Sequence, residues 1–445
     1  MNPALKPALR QSWLTSENFF RLILAALILR ILLMPFFGHV DVLSEARRIY
    51  FWDESNIYFD DISRNATSLF QLFFFKIFSV FIDNKDLMFS HADMQHSTAY
   101  PGEYFEFVSQ PDIFRTLFIL KIPFLVADLI TAWALYQYCG GNAGARRAVL
   151  FWLFNPITIF AFYVFGRFES IPVMFCMLSL LAVQRKSLML AAVMIGLSIN
   201  SRELFIFFGP LFVALVLSPS CKDFLWRYRV ASAAVVIFAT AVSVQLISLT
   251  GGSMDAFGRE VTSIATEGRV DYLFKFIVGS FMVFPMAYIA ILLFTWNSAA
   301  DLEKKSLLVY SMTIIAFFLF SSHTAHYTSW MVVFPCIFYA RQPQFLKPLL
   351  LLCVTWIVYN LAITDLGVFT AWLASPWSIH FSGLPNFPMM YQSLKFSSAL
   401  DLLTFSRLAR TAYLACLLYI TVQMVVYYLK HEGTPAAGRN TGGRA

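Results

Sequence analysis

The sequence predicts an all-α polytopic membrane protein, a single integral-membrane domain over residues 1–445. Three observations predict it. Hydrophobic residues make up 59% of the chain and charged residues only 13%, with 48 Phe, whereas a soluble domain carries about a quarter charged residues. The apolar residues fall into runs long enough to cross a bilayer, which takes roughly 17 to 25 residues each. Basic residues recur in alternate short loops, as they do on the cytoplasmic side of membrane proteins.

The runs lie at 18–37, 113–137, 147–165, 169–184, 187–201, 203–219, 230–250, 273–295, 307–323, 328–341, 348–366 and 408–429, which predicts about twelve transmembrane helices. Lys6 and Arg10 precede the first run, which lacks a small-x-small cleavage site, so it reads as a retained anchor. Asn200-Ser201-Arg202-Glu203 interrupts the fifth and sixth runs. Four polar residues enter hydrocarbon only where they line a cavity or reach an interface, so the chain is expected to turn there.

With the N-terminus inside, Arg146-Arg147, Arg185-Lys186, Lys222, Arg227, Arg229, Lys304-Lys305, Arg341 and Lys347 all fall in inner loops, and residues 431–445 form a flexible cytoplasmic tail. This arrangement accounts for the net charge of +7 without a nucleic-acid partner. Residues 66–82 are apolar enough to span but carry Lys76 near the middle. Counting them as a span would throw the later basic loops outside, so they predict an interfacial helix on the outer leaflet. The six cysteines lie in apolar runs or inner loops with no CxxC spacing, which predicts neither disulfides nor a zinc site.

Polar chemistry gathers on the outer face. It holds the long first loop 38–112, the corner Gly166-Arg167-Phe168-Glu169, the loops 251–272 and 367–406, and six of the seven His, including His39, His323 and His326. Asp41 stands where the first apolar run meets water. It reads either as a solvated loop carboxylate or as a site, because Glu45 shares its face if 41–48 is helical and Asp53, Glu54, Asp60, Asp61 and Glu103 occupy the same loop. Partial desolvation there is expected to raise its pKa and make it a better base toward a hydroxyl.

Arg167, Glu169, Arg202 and Glu203 read either as snorkelling anchors and mutual ion pairs or as a phosphate clamp, since Arg engages two phosphate oxygens at once. His323 and His326 are three apart with no third metal ligand in view, so no metal is assigned; donation to a phosphate leaving group is the functional reading. Lys121 and Asp128, two turns apart in the second run, are expected to neutralise each other or a neighbouring helix. Asn65-Ala66-Thr67 is a glycosylation sequon, a pattern that also arises by chance.

These features occur in an order that resembles the GT-C superfamily of polyprenyl-phosphate-sugar-dependent glycosyltransferases, in particular integral-membrane mannosyltransferases related to GPI mannosyltransferase I. The matching residues are His39-Val40-Asp41, Tyr100-Pro101-Gly102, Leu120-Lys121-Ile122-Pro123 through Asp128, Trp152-Leu153-Phe154-Asn155-Pro156, Gly166 through Pro172, Gly196 through Arg202 to Pro210, and His326 through Trp330. They run from the first span to about residue 340. Two positions depart from the family pattern. His39-Val40-Asp41 stands where the family has Asp-x-Asp, and the corner reads Gly166-Arg167-Phe168-Glu169 where Gly-Gln-Phe-Asp or Gly-His-Asn-Asp is common.

The resemblance implies an inverting transfer of a hexose, mannose first, from a polyprenyl-phosphate donor to a lipid-linked or glycan acceptor on the non-cytoplasmic face. Asp41 would be the base. Arg167, Arg202, His326 and His323 would hold the donor phosphate, and Glu45, Tyr100 and Glu169 would meet the acceptor. No cofactor is assigned, and the departures leave a divalent cation and the sugar open. The membrane would be a bacterial or archaeal plasma membrane, or the endoplasmic reticulum in a eukaryote. The competing reading is a multi-span transporter or flippase of a lipid-linked or anionic substrate, which also needs many spans and buried charge.

Overall fold

The computed structural model describes residues 15–55, 65–83, 85, 101–219, 221–250, 277–278, 281–298, 300–320, 325–363, 371–385, 387–393 and 402–431. Within them the chain is helical apart from one small hairpin. The long helices are α1 (Ser16–Leu33), α2 (Val40–Ser55), α3 (Asn65–Phe78), α4 (Pro101–Val108), α5 (Ile113–Tyr138), α6 (Ala143–Leu153), the single turn α7 (Pro156–Ile159), α8 (Ser170–Gln184), α9 (Leu188–Ile199), α10 (Phe208–Leu217) and α11 (Trp226–Thr250). After the hairpin β1 (Ile277–Val278) and β2 (Phe281–Met282) come α12 (Val283–Asn297), α13 (Leu302–Phe320), α14 (Ser329–Arg341), α15 (Leu346–Ile363), α16 (Phe387–Ser393) and α17 (Leu402–His431).

The all-α expectation holds for the described residues, with one two-residue antiparallel pairing inside the apolar run expected at 273–295. Ile277 pairs with Met282 and Val278 with Phe281, antiparallel, and α12 starts only at Val283.

Among the described residues two helices are long and apolar enough to cross a membrane, Pro343–Ala362 and Thr404–Lys430. Ala143–Leu153 and Pro156–Val164, bent by 43° at their break, make a third if they act as one span. Other runs are divided or shortened. α8, α9 and α12 have 15, 12 and 15 residues, and α5 carries Lys121 and Asp128 at its centre. The outward faces nonetheless carry exposed Leu350, Leu351 and Val354 on α15 and Leu418, Tyr419 and Val422 on α17. Such contiguous apolar surface suits lipid rather than water.

Among the described residues the core has three apolar clusters, and the main one lies where α8 packs on α5 and α9, α9 on α11, α6 on α14, and α15 on α17. Polar side chains set the junctions. Asn142 caps α6 by accepting from the Gly144 and Ala145 amides at 2.8 and 3.1 Å, and Asn155 caps α7 at Ile157 N, 2.8 Å, with Pro156 filling the first helical position. A Cβ on Gly144 would stand 2.3 Å from the Ala340 carbonyl oxygen, so glycine is what lets α6 meet the end of α14. All six cysteines are free thiols.

Lys121 and Asp128 do not pair with each other. Asp128 accepts from Arg30 Nε at 2.7 Å, Trp152 Nε1 at 2.6 Å and Tyr163 Oη at 2.7 Å, all fully buried, so three helix segments share one carboxylate. Lys121 Nζ instead donates to the carbonyls of Met34 and Tyr163, each at 2.9 Å, and of Phe37. It thereby satisfies orphan carbonyls at the end of α1 and in the turn after α7, groups that hydrocarbon would leave unpaired.

Candidate functional site

The site grows from the way α7 ends. After Ile159 the helix widens to a π turn, Phe160–Val164, and Gly166 reverses the chain at φ +80°. The left-handed conformation alone favours glycine, and a Cβ there would lie 2.7 Å from Lys121 Cε and 2.8 Å from Val42 Cγ2. Lys121 and the start of α2 are therefore pressed against this corner, and the next residue, Arg167, lands beside Asp41.

The other approach is fixed just as firmly. Tyr104 of α4 donates to the Gly38 carbonyl at 2.6 Å, and the Gly38 amide donates to the Leu373 carbonyl at 3.0 Å. Residues 37–39 thus lead rigidly into α2, which places Asp41 in its first turn. The helix expected over 41–48 is present and extends to Ser55.

Arg167 Nη1 donates to Asp41 Oδ2 at 2.8 Å and lies 3.2 Å from His326 Nε2. His39 Nδ1 stands 3.4 Å from the same carboxylate oxygen. Phe165 is sandwiched between the imidazoles of His39 and His326, with ring centroids 4.1 and 4.5 Å away. Beneath this layer Glu169 Oε1 lies 3.8 Å from Arg167 Nε, 3.9 Å from Arg202 Nε and 3.9 Å from His326 Nε2, while Glu169 Oε2 accepts from Trp330 Nε1 at 2.5 Å. Arg202 donates to the Tyr327 hydroxyl, and its guanidinium sits 4.9, 5.4 and 5.9 Å from the rings of Tyr327, Phe168 and Trp330. Three such contacts on a desolvated cation amount to about 0.5–2 kcal/mol each.

Exposure divides these groups into two layers. The Asp41 side chain is 28% exposed and that of Arg167 12%, whereas Glu169 is 0% and Arg202 2% exposed. Glu169, expected to meet an acceptor, is instead enclosed beneath the surface among cations. Arg202, expected on donor phosphate, is held in the ring cage behind it. Glu45 is also buried and bonds Arg48 Nη1 at 3.0 Å, the intrahelical pairing that its spacing permits. Tyr100 and His323 lie outside the described residues, and the side chain of Glu203 is likewise not described.

The electrostatics differ from expectation at Asp41. Burial would push its carboxyl up, but the Arg167 guanidinium and the His39 imidazole outweigh it and hold the group well below the usual carboxylate range. Burial first, and then the neighbouring Arg167, push the His326 imidazole well below its ordinary value, so it is neutral at pH 7. Among the described residues no group of three or more His, Cys, Asp or Glu stands close enough together to hold a metal ion. Asp41 and His39 are two ligand types with an Arg already on the carboxylate, a poor donor set for a divalent cation.

The sequence places His39 in the motif with Asp41 but assigns it no role, and Phe165 it does not single out. His39 had a signal, since it directly precedes the helix carrying Asp41. The sequon also changes meaning, because Thr67 Oγ1 is buried and donates to the Ser201 carbonyl at 2.9 Å, tying α3 to the break before Arg202. Comparison with models of known protein families finds no match, and comparison with curated proteins finds none either.

Proposed function

We propose that this chain is an inverting, polyprenyl-phosphate-sugar-dependent glycosyltransferase of the GT-C type, with about twelve spans and its site on the non-cytoplasmic face. The observation that carries the reading is the Asp41–Arg167–His326 cluster, a guanidinium that contacts a carboxylate and an imidazole where the chain leaves the apolar region. Transfer from a phospho-sugar requires a base for the acceptor hydroxyl on one side of the anomeric carbon and fixed donors for the departing phosphate on the other.

In this reading Arg167 is shared between two states. Without donor it neutralises Asp41. An incoming donor phosphodiester carries one negative charge, as Asp41 does, and gains a second as its bond to the anomeric carbon breaks; the guanidinium shifts onto its oxygens as that charge develops, and neutral His326 adds an N–H donor. Asp41 then loses its counter-ion in a partly desolvated position, and its basicity rises. The acceptor oxygen attacks the anomeric carbon as its proton passes to Asp41. The bond from that carbon to the phosphate oxygen breaks, its electron pair leaves with the lipid phosphate, and the configuration inverts. Each well-placed donor to the developing charge contributes about 3–4 kcal/mol. Glu169 and Arg202 act as positioning groups: the buried carboxylate holds both guanidiniums and the imidazole in one register.

Hexose, with mannose first, is the sugar this proposal assigns to the donor, and a lipid-linked or glycan hydroxyl the acceptor. A transporter would use the buried charges within the spanning helices, yet Asp128 there is closed off by three donors. The test is to incubate purified protein with radiolabelled polyprenyl-phosphate mannose, glucose and arabinose and a membrane-lipid extract as acceptor. Release of free lipid phosphate with one sugar supports transfer. Inactivity with all three, with movement of the intact donor between leaflets in proteoliposomes, favours the flippase.

A further inference from the structure

Five side chains of the site close into a loop of contacts. His39 Nδ1 stands 3.4 Å from Asp41 Oδ2, Asp41 accepts from Arg167 at 2.8 Å, and Arg167 lies 3.2 Å from His326 Nε2. From His326 the loop returns to His39 through Phe165, whose ring stacks on both imidazoles at interplanar angles of 22° and 30°. Phe165 therefore lies across the loop from Arg167 and joins the same two sides. One is the base side, His39 with Asp41, and the other is the leaving-group side, His326.

The two links differ in stiffness. The Phe165 amide donates to the Phe160 carbonyl at 2.7 Å and the Arg167 amide to the Ala161 carbonyl at 3.0 Å, so the turn that carries both residues is pinned at each. Phe165 itself is 1% exposed, with the Phe160 ring against it at 6.0 Å. Arg167 instead reaches its partners on a long side chain with many rotamers. In the transfer reading its guanidinium shifts to the donor phosphate as charge develops there. The Asp41–Arg167 bond then opens, and among the described contacts of the loop the Phe165 stack is the one that still joins the two sides. We propose that Phe165 is a positioning residue for transfer, a flat spacer that keeps Asp41 and His326 in register as Arg167 leaves Asp41.

The slot suits a flat side chain. Centroid distances of 4.1 and 4.5 Å stand at or below the lower end of the range of about 4.5–7 Å usual for aromatic pairs, so neither imidazole has slack against the ring. His326 cannot retreat, because Tyr327 meets it edge-on at 4.2 Å and Glu169 Oε1 stands 3.9 Å from its Nε2. An aliphatic replacement is thicker across than a ring and offers no face, so it forces a shift. The half-buried His39 is the ring that gives way, and Asp41 with it. A misplacement of about 1 Å costs about a hundredfold in rate. Since Arg167 and His326 keep their places, the loss falls on turnover and not on donor affinity.

This inference rests on the transfer reading, and the experiment separates the two. Wild type, Phe165→Leu, Phe165→Met and Phe165→Tyr, each as the full chain in nanodiscs, are compared for release of lipid phosphate from radiolabelled polyprenyl-phosphate mannose, glucose and arabinose, and for binding of the same donors. The expected result is a kcat about a hundredfold lower in Phe165→Leu and Phe165→Met, with donor affinity unchanged. Phe165→Tyr keeps the ring and retains most of the turnover. Stoichiometric donor binding and a monodisperse elution profile show that each variant is folded, and the flexible thioether of Phe165→Met, which fills irregular gaps, serves where Phe165→Leu does not fold. With an active wild type, the inference alone is overturned if the variants without a ring keep pace, if their loss lies in donor affinity, or if Phe165→Tyr turns over no faster than Phe165→Leu. A wild type that releases no lipid phosphate from any of the three donors overturns the transfer reading, and this inference with it.

Discussion

Arg167 and Asp41, 126 positions apart in the chain, meet at 2.8 Å through a charge-assisted hydrogen bond at the mouth of the candidate site. Two devices bring them together: the left-handed turn at Gly166 and the clamp on residues 37–39 made by Tyr104 and the Leu373 carbonyl. The pair forms the outer of two layers, directly above buried Glu169 and Arg202, so changes to either residue reach both.

Replacing Arg167 by Gln removes the counter-ion from Asp41 while leaving an N–H donor nearby. The Asp41 carboxyl then rises toward or above the ordinary carboxylate value, since burial is no longer opposed by the guanidinium. The expected outcome is at least a hundredfold loss of transfer from one missing phosphate donor, with the acid limb of the remaining pH–rate profile moved to higher pH. The measurement is initial rate against pH, and an acid limb at its wild-type position contradicts the pairing.

Gly166→Ala tests the turn itself. A left-handed residue with a Cβ costs about 1–2 kcal/mol, and the new methyl meets Lys121 and Val42 at under 3 Å. The substitution is expected to lower the unfolding midpoint in detergent and to reduce transfer more than the stability loss accounts for, because Arg167 moves with the corner. Wild-type activity in this variant would show that Arg167 is not positioned by the turn.

The fold should weaken on acidification. His326 is neutral when folded but takes up a proton near pH 6.5 when unfolded, so the unfolded chain binds more protons below that value. Stability therefore falls as pH drops through 6.5, by at most about 1.4 kcal/mol per pH unit for this one group. Asp41 acts in the same direction at lower pH. Its depressed folded pKa gives stability that is present above 3.8 and lost as pH falls through the folded value. Unfolding midpoints between pH 7 and 5 measure the first effect, and His326→Asn is expected to flatten it.

The buried carboxylate Asp128 is a matter of stability rather than transfer. Asp128→Leu or Arg30→Met alone leaves a buried charge uncompensated and is expected to cost about 3–5 kcal/mol, while the double substitution Arg30→Met with Asp128→Leu costs less than the sum. A double-mutant cycle on detergent unfolding gives the coupling. Additive effects would mean that the 2.7 Å contact carries no net interaction.

Much of the site was legible in the sequence, because polar residues interrupting apolar runs have few places to go. The corner at Gly166–Glu169 and the break at Asn200–Glu203 were readable on that ground, and both end helices as expected. The sign of the Asp41 shift was not readable. Local desolvation predicts a raised pKa, and only the three-dimensional placement of Arg167 reverses it. The burial of Glu169 was equally hidden, since spacing puts a carboxylate at a corner but not beneath one. Helix lengths were the least legible feature. A hydropathy run does not reveal that Asn155 caps a new helix within it, or that Ile277 and Val278 pair with Met282 and Phe281 where a helix was expected.

The central claim is that Asp41 deprotonates an acceptor as a sugar leaves its lipid phosphate. The direct measurement is release of lipid phosphate from radiolabelled polyprenyl-phosphate mannose by purified wild type and Asp41→Asn in nanodiscs, alongside donor binding by each. The account predicts turnover by wild type and at least a hundredfold less by Asp41→Asn, as general-base loss gives, with the variant folded and still binding donor. Near-normal turnover by Asp41→Asn would contradict it.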